Sequence, residues 1–503
     1  MKPLAIVIPW FGAELKGGAE QQAFQIATRL AARGVDVEVI TTCCRSFQDD
    51  WATNHLPPGL TREQGISIRR FPVGARDAQA FDRVNAKLLA LTPHDLRAGV
   101  SPVSGADADI FACENINSPA LVEHLGAHAD DYQAFLFIPY MFAPATRGLP
   151  LVAGRAFLQP CLHDEPAAYF PAVEELFHRA RLVLYNSDGE RELAARLYGA
   201  SVFPRGLVVG EGIERITAAP EQLAAALPVE LRDAAPFVLY LGRRDDVKNT
   251  GLLVRAFRRF KEGAPDSTLR LVLAGAGAHS YDERERAIFD LGLVREETKA
   301  ALLVACRALF QPSRNESFSR VLMEAWNYGG RPVVAHRECL ATAIAVTRAG
   351  GGWLAATEAE WSQAFSHVAA APDAELAATG ERGRAYAIEH ADWDKVIARY
   401  EELLRAHAEE SNAPAQISMR APHAIHQLLP DLVYGDAISN QAINIRDHLR
   451  GRGYASEIFV KRREERMEGE ARLFDPALVS NADALLYHHS IGSELTAFAI
   501  EHG

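Results

Sequence analysis

The sequence predicts an α/β protein with parallel sheets: two domains in tandem and the opening of a third. Three observations lead there. An apolar run at residues 4–9 passes through a glycine-rich loop into a helical pattern and then a second apolar run, which is a βαβ unit. The same kind of pattern restarts after residue 212. Beyond residue 420 the opening pattern returns once more.

Taken in order, "LAIVIP" (4–9) is the first strand, "QQAFQIATRLAARG" the helix after it, closed by Gly34, and "VDVEVITT" the second strand. Further strands are expected at "DIFAC" (109–113), "AFLFIPY" (134–140), "GRAFLQPCL" (154–162) and "RLVLYNS" (181–187), giving a first domain over 1–212. In the second domain, 213–410, strands are expected at "PFVLYLGR" (236–243), at "LRLVLAGAG" (269–277), at the end of "ALLVACRALFQPS" (301–313) and at "RPVVAH" (331–336). "NTGLLVRAFRRFKE" reads as an amphipathic helix, and "DWDKVIARYEELLRAHAEE" (392–410) as a long helix that ends the domain. "SNAPAQ" has linker composition, so 411–420 reads as a linker.

The tail, 421–503, holds an internal repeat. "LLPDLVYGDAISNQAINIRDHLRGRGYASEIFV" (428–460) is similar to the start of the chain: Gln22-Ala23 matches Gln441-Ala442, and Gly34 matches Gly453. "ADALLYHHSIGSELTAFA" (482–499) is similar to "ADIFACENINSPALVEHL" (108–125). The tail therefore reads as a second, incomplete copy of the first domain, with the rest of that copy expected in a longer tandem protein.

Composition excludes several classes. A hydrophobic fraction of 48% supports real cores in a chain of 503 residues. A net charge of −12 argues against nucleic acid as a main partner, because phosphate binding needs a basic footprint. The six cysteines, Cys43, Cys44, Cys113, Cys161, Cys306 and Cys339, form no CxxC, which fits reduced thiols better than disulfides or a zinc site. No apolar run approaches the roughly 20 residues of a membrane helix. Pro9 and Gly12 interrupt the first apolar run, so it reads as a buried strand and not as a signal peptide.

The chemistry concentrates in "ESFSRVLME" (316–324). A strand ends near Phe310–Ser313, and a helix is expected from about Ser317–Ser319 to Tyr328. Unpaired N–H groups at such a start attract phosphate, and Ser317 and Ser319 are small enough to admit it and to cap. Glu316 then precedes the helix and Glu324 lies within it, on the order of 10 Å apart. A nucleotide sugar, with hydroxyls at both ends and a diphosphate between, has that layout. Read alone, the two carboxylates are better described as a helix-entry acid matched to the dipole and a solvated helix residue; their context reverses that reading. "GRRDDVKN" (242–249) adds Arg243 and Lys248 after a strand, placed to neutralise a diphosphate; alone they are ordinary surface charges.

In this order, E-x7-E, "GR" with a lysine five residues on, "LVLAGAG" and "GGRPVV" resemble glycosyltransferase family 4 over residues 1–410. The resemblance implies a retaining enzyme of the GT-B fold, two Rossmann-like doubly wound domains facing a cleft, with the tail as a partial third Rossmann-like segment. It also implies roles. Glu316 would hold donor-sugar hydroxyls and Glu324 the ribose. Ser317, Phe318 and Ser319 would offer backbone amides to the phosphates, and Arg243 and Lys248 would stabilise the leaving diphosphate. Gly17 and Gly18 of "KGGAE" match the glycine loop near the donor phosphate and acceptor, and His163 of "CLHDEP" would sit near the transferred sugar. Two departures stand out: Ser319 occupies a position where the family often has glycine, and "VVGEGIER" (208–215) replaces a common Asn-Gly.

The resemblance further implies front-face attack with the donor phosphate taking the acceptor's proton, so no protein nucleophile is assigned. No cofactor and no metal are expected. "DAD" (107–109) is formally a DxD but reads as a turn entering a strand, and its repeat counterpart is "NAD" (481–483). The expected partners are a nucleotide-sugar donor, GDP-mannose as the first choice, and a glycan or lipid-linked glycan acceptor in bacterial surface polysaccharide synthesis. A cytoplasmic location follows, with possible peripheral contact at the inner face of the membrane. Alternatives are a GT-B nucleotide-sugar epimerase and a non-catalytic nucleotide-sugar binding module.

Overall fold

The computed structural model describes residues 2–488 apart from 16, 234, 278–279, 413–423, 452–454 and 479–483. It divides into two compact units, 1–408 and 409–503, each taken by itself below.

The first unit contains two sheets. The eight-stranded one holds β1 (Leu4–Val7), β2 (Val37–Thr42), β3 (Gly59–Glu63), β4 (Ile66–Phe71), β5 (Ala134–Phe137), β6 (Ala156–Leu158), β7 (Leu182–Tyr185) and β8 (Gly206–Val208). Their order is β3-β4-β2-β1-β5-β6-β7-β8, with every pairing parallel except that of the edge strand β3. Side chains of β1 alternate between two cores, Ala5 and Val7 in one, Leu4 and Ile6 in the other, so both faces are covered.

The six-stranded sheet holds β9 (Phe237–Leu241), β10 (Arg270–Ala274), β11 (Ile288–Asp290), β12 (Leu309–Gln311), β13 (Val333–His336) and β14 (Gly352–Ala355), in the order β11-β10-β9-β12-β13-β14, all parallel. That is the doubly wound order with its switch point between β9 and β12, where such sheets open a crevice at their carboxyl ends. The turns leaving β9 and β10 nearly touch there. A Cβ on Gly275, at φ +142°, would lie 1.8 Å from the Gly242 carbonyl oxygen, so this approach needs glycine.

One expected strand is a helix. "DIFAC" belongs to the helix Gly105–Cys113, so "DAD" lies in a first helical turn and not in a turn entering a strand. Ser104 caps that helix by accepting from the Asp107 N–H at 3.2 Å. Phe111 then packs on Phe81 with ring centroids 5.0 Å apart, while Asp107 faces outward to Lys87 at 2.9 Å. A cap and one aromatic contact outweigh a five-residue apolar run.

The long helix near the end of the first unit spans Trp393–Asn412. Its Trp393, Val396, Ile397, Tyr400 and Leu404 join a core of the eight-stranded sheet, so the chain crosses back to its beginning. Polar contacts fix the crossing. Tyr400 donates to Gln159 Oε1 at 2.6 Å, Gln159 and Gln22 both donate to Asn186 Oδ1, and Gln133 donates to the Leu404 carbonyl. All six cysteines are free thiols.

The second unit carries β15 (Ile425–Leu432), β16 (Ile458–Arg463), β17 (Arg472–Leu473) and β18 (Ala484–Tyr487), in the order β17-β16-β15-β18, all parallel. A helix Ala437–Gly451 joins β15 to β16. This repeats the order β4-β2-β1-β5 of the first sheet. It also corrects the second half of the repeat: 484–487 is a strand, whereas the stretch aligned to it lies in the helix Gly105–Cys113. By sheet position β18 corresponds to β5. "NAD" (481–483), Gly453, "SNAPAQ" beyond Asn412 and the end of the second repeat fall outside the described residues.

Replacing Tyr400 by Phe removes the donor to a fully buried Gln159 and leaves its oxygen unsatisfied. The expected loss is about 1–3 kcal/mol of stability. A lower urea midpoint for the first unit's transition checks this; an unchanged midpoint would show that the network does not hold the closing helix.

Candidate active site

The E-x7-E segment joins β12 to the helix Arg320–Gly329, at the carboxyl edge of the six-stranded sheet. Ser319 is the N-cap residue and adopts φ +77°, a conformation rare outside glycine and costly for a side chain. This is the physical content of the first sequence departure. Ser319 caps by position only, because its hydroxyl is buried and makes no hydrogen bond, contrary to the capping bond expected for it. The helix start thus has no side-chain cap.

The loop before it is pinned to the other domain. Asn315 Oδ1 accepts from the Asp164 N–H at 2.8 Å, and its Nδ2 donates to the Asp164 carbonyl at 3.0 Å. Ser187 donates to the Ser317 carbonyl at 2.7 Å. Residues 163 and 316 are the immediate chain neighbours of the first pair, so this bridge brings the His163 and Glu316 segments alongside each other across the cleft. A close backbone approach reinforces the junction: a Cβ on Gly189 would lie 2.4 Å from Ala341 backbone atoms.

Charges in the cleft are nearly balanced in pairs. Lys248 Nζ donates to Glu316 Oε1 at 2.7 Å, with both side chains mostly buried. Lys299 Nζ donates to Glu324 at 3.0 Å and contacts Glu296 at the same distance. Burial alone would lower the Lys299 pKa, yet these two carboxylates hold it above its ordinary value. Arg243 is 62% exposed on its side chain and lies 3.4 Å from Asp245. Glu324 is only 3% exposed and its Oε2 has no hydrogen-bond partner.

The second departure lands in the same place. Glu211 is 5% exposed, its Oε1 has no hydrogen bond, and the nearest cation is Arg320 at 3.6 Å. Desolvation pushes its pKa up to about 7, with Arg320 opposing and Glu324 adding to the rise. Glu190, buried in the first domain, is raised to about 8 by the same cause, although it accepts from the backbone N–H groups of Asn186 and Leu162.

The remaining expected residues divide. Gly17 is the N-cap of the helix Gly18–Ala32, at the carboxyl edge of the first sheet, and a Cβ there would collide with Glu20 at 2.0 Å. Gly18 has open space around it. Phe318 is buried in the second domain's core and anchors the loop. Among the described residues no group of three or more His, Cys, Asp or Glu converges. Asn315, Lys299, Arg320 and the positioning of Glu211 went unread in the sequence. Lys299 sits on the preceding helix, Glu296–Ala305, and only its burial beside Glu324 marks it.

Two doubly wound sheets joined by a crossing helix, with a motif helix pinned across the cleft, define the GT-B architecture, and comparison with known proteins agrees. Residues 17–209 match the glycosyl transferase 4-like domain and residues 235–371 the glycosyl transferases group 1 family. The D-inositol 3-phosphate glycosyltransferase of Stackebrandtia nassauensis is 26% identical over 369 residues, 69% of this chain and 78% of that protein. The sucrose-phosphate synthase of Thermosynechococcus elongatus superposes with a TM-score of 0.57 at 16% identity, covering 82% of this chain and 100% of that one. The α,α-trehalose 6-phosphate synthase of Burkholderia multivorans gives 0.58 at 15%, with the same coverage. The chain belongs to the GT-B glycosyltransferases built from these two family domains, enzymes that take their sugar from a nucleotide-activated donor.

The raised pKa of Glu211 has a sign. An acid whose folded pKa lies above its unfolded value of 4.5 adds stability below that value and loses it as pH rises through about 7. Glu211→Gln is therefore expected to gain about 2–3 kcal/mol on the parent chain between pH 4.5 and 8. Urea midpoints of both proteins at the two pH values check it; parallel curves would mean that Glu211 ionises normally.

Proposed function

We propose that the chain is a retaining hexosyltransferase. Its donor is a nucleotide-diphosphate sugar bound along the Arg320–Gly329 helix, and its acceptor is a glycan hydroxyl presented from the first domain. One observation carries the donor reading: the buried polar atoms Ser319 Oγ, Glu324 Oε2 and Glu211 Oε1 all lack partners and all lie at or against that helix. Buried polar groups left unsatisfied are costly, and a hydroxyl-rich ligand would satisfy them. In this reading Glu324, steadied by Lys299, takes the ribose, and Glu316, steadied by Lys248, takes the sugar hydroxyls. Arg243, Lys248 and the amides of Ser317, Phe318 and Ser319 face the diphosphate, while Gly17, Gly18 and His163 border the transferred sugar.

The chemistry follows. The bond from the anomeric carbon to the β-phosphate oxygen breaks, and its electron pair leaves with the diphosphate. Fixed cations and helix N–H groups stabilise the charge that develops there. The acceptor oxygen bonds the anomeric carbon on the same face, and its proton passes to the departing phosphate oxygen. No side chain becomes a nucleophile and no metal or cofactor takes part.

GDP-mannose remains the first donor to try. Surface polysaccharide synthesis, with contact at a membrane face, remains the setting we favour for the acceptor. Among the described residues no helix is long and apolar enough to cross a membrane. The names of the similar proteins carry phosphorylated acceptors or products, which supports a second reading in which the acceptor is a sugar or polyol phosphate. We also read the second unit as a repeat of the first sheet's opening, supported by the shared strand order.

Nucleoside diphosphate release from UDP- and GDP-hexoses, with neutral glycans or sugar phosphates as acceptors, tests both readings. Glu316→Gln is expected to cut turnover strongly while diphosphate affinity stays near the parent's. Glu324→Gln is expected to weaken nucleoside binding by about 1–3 kcal/mol. Parent-like activity and affinity in both variants would overturn the site assignment.

Turnover is also expected to persist in excess EDTA, because in this reading Arg243 and Lys248 take the part of a metal. Abolition by EDTA with recovery on adding manganese would reject the metal-free scheme.

A further inference from the structure

The pairing of charges around the motif helix leaves one cation loosely held. Lys248 is hydrogen-bonded to Glu316, Lys299 to Glu324, and the exposed Arg243 faces Asp245. Arg320, the first residue of the helix, has one counter-ion, Glu211, at 3.6 Å, beyond hydrogen-bond distance. Its side chain is 26% exposed, so it is neither solvated freely nor locked. Among the described residues it forms no hydrogen bond, and a guanidinium offers five donors.

We propose that Arg320 is a diphosphate-binding residue of the donor site, and that Glu211, buried in the segment joining the two domains, holds it aimed at the start of its own helix. The proposal deepens the donor reading above and rests on it. Three features support it. Arg320 follows Ser319, which has a left-handed backbone, a buried hydroxyl with no hydrogen-bond partner and no side-chain cap to offer the helix, so Arg320 is the first residue of an uncapped helix start. Glu211 orients Arg320 without locking it, because the two lie 3.6 Å apart, beyond hydrogen-bond distance, and the guanidinium keeps its donors free. A diphosphate, with more charge than a carboxylate and oxygens spaced for two parallel bonds, fits the open fork of that guanidinium. As the anomeric bond breaks and the electron pair moves onto the diphosphate, Arg320 would supply positive charge that the paired lysines do not.

The test compares ligands that differ only in phosphate. Binding of UDP, GDP, uridine and guanosine to the full chain is measured by calorimetry. With Arg320→Leu, affinity for the preferred nucleoside diphosphate is expected to fall about 10–100-fold, and that for its nucleoside to change less than about twofold. Arg320→Lys should restore part of the loss, since it keeps the charge without the fork. Glu211→Gln should weaken diphosphate binding when Arg320 is present and have no effect on top of Arg320→Leu. If Arg320→Leu does not fold, Arg320→Gln replaces it in the comparison. Parent-like diphosphate affinity in the folded variant overturns the proposal, and so does an equal loss for nucleoside and diphosphate, which marks a structural role only. Failure of the parent chain itself to bind UDP or GDP removes the donor reading, and the role of Arg320 with it.

Discussion

The six residues from Asn315 to Arg320 satisfy three demands at once, and the site depends on all of them. They leave β12, they start a helix, and they hydrogen-bond the opposite domain. Asn315 closes two bonds with the backbone of Asp164, and Ser317 accepts from Ser187. A segment so constrained has little freedom to relax, which explains the strained backbone at Ser319. The same short segment carries Glu316 to where its ion pair with Lys248 forms. Each consequence is local, but the constraint comes from two sheets whose carboxyl ends meet.

Burial sets the electrostatics of that meeting. Isolated carboxylates at the exposures of Glu211 and Glu324 would be strongly disfavoured as anions. Glu324 stays supplied with charge by Lys299, a partner inside its own domain. Desolvation pushes the Glu211 pKa up to about 7, opposed by a guanidinium 3.6 Å away on another element. The two acids are similarly buried and differ in how closely a cation meets them.

Much of the fold was legible because parallel strands buried on both faces write themselves as apolar runs, as in "LAIV" and "FVLYL". The strands that escaped notice are short or carry no such signal. β3 is wholly exposed at the sheet edge, β8 and β11 have three residues each, and β14 opens on glycine. The helix Gly105–Cys113 was misread because its capping serine and its aromatic partner lie outside the apolar run. In the site, the two glutamates and the two cations were legible as spacing. Asn315, Lys299 and Arg320 were not, because each acts through a partner 25 to 151 residues away in sequence.

The two departures from the family pattern illustrate why such partners matter. Read separately in the sequence, a serine for glycine and a glutamate for asparagine look like independent drift. In the structure Ser319 and Arg320 are adjacent, and Glu211 is the counter-ion of the second. The tail shows the converse. Ala23 and Ala442, matched by the repeat, are both fully buried, as helix-to-sheet packing requires. Gln22, beside the first, is buried in the network with Asn186 and Gln159, whereas its counterpart Gln441 is exposed. A repeated sequence thus carries over the positions that build a βαβ unit. The polar network does not come with it, because Gln22 owes its burial to β6, β7 and the crossing helix, which bring Gln159, Asn186 and Tyr400 to it.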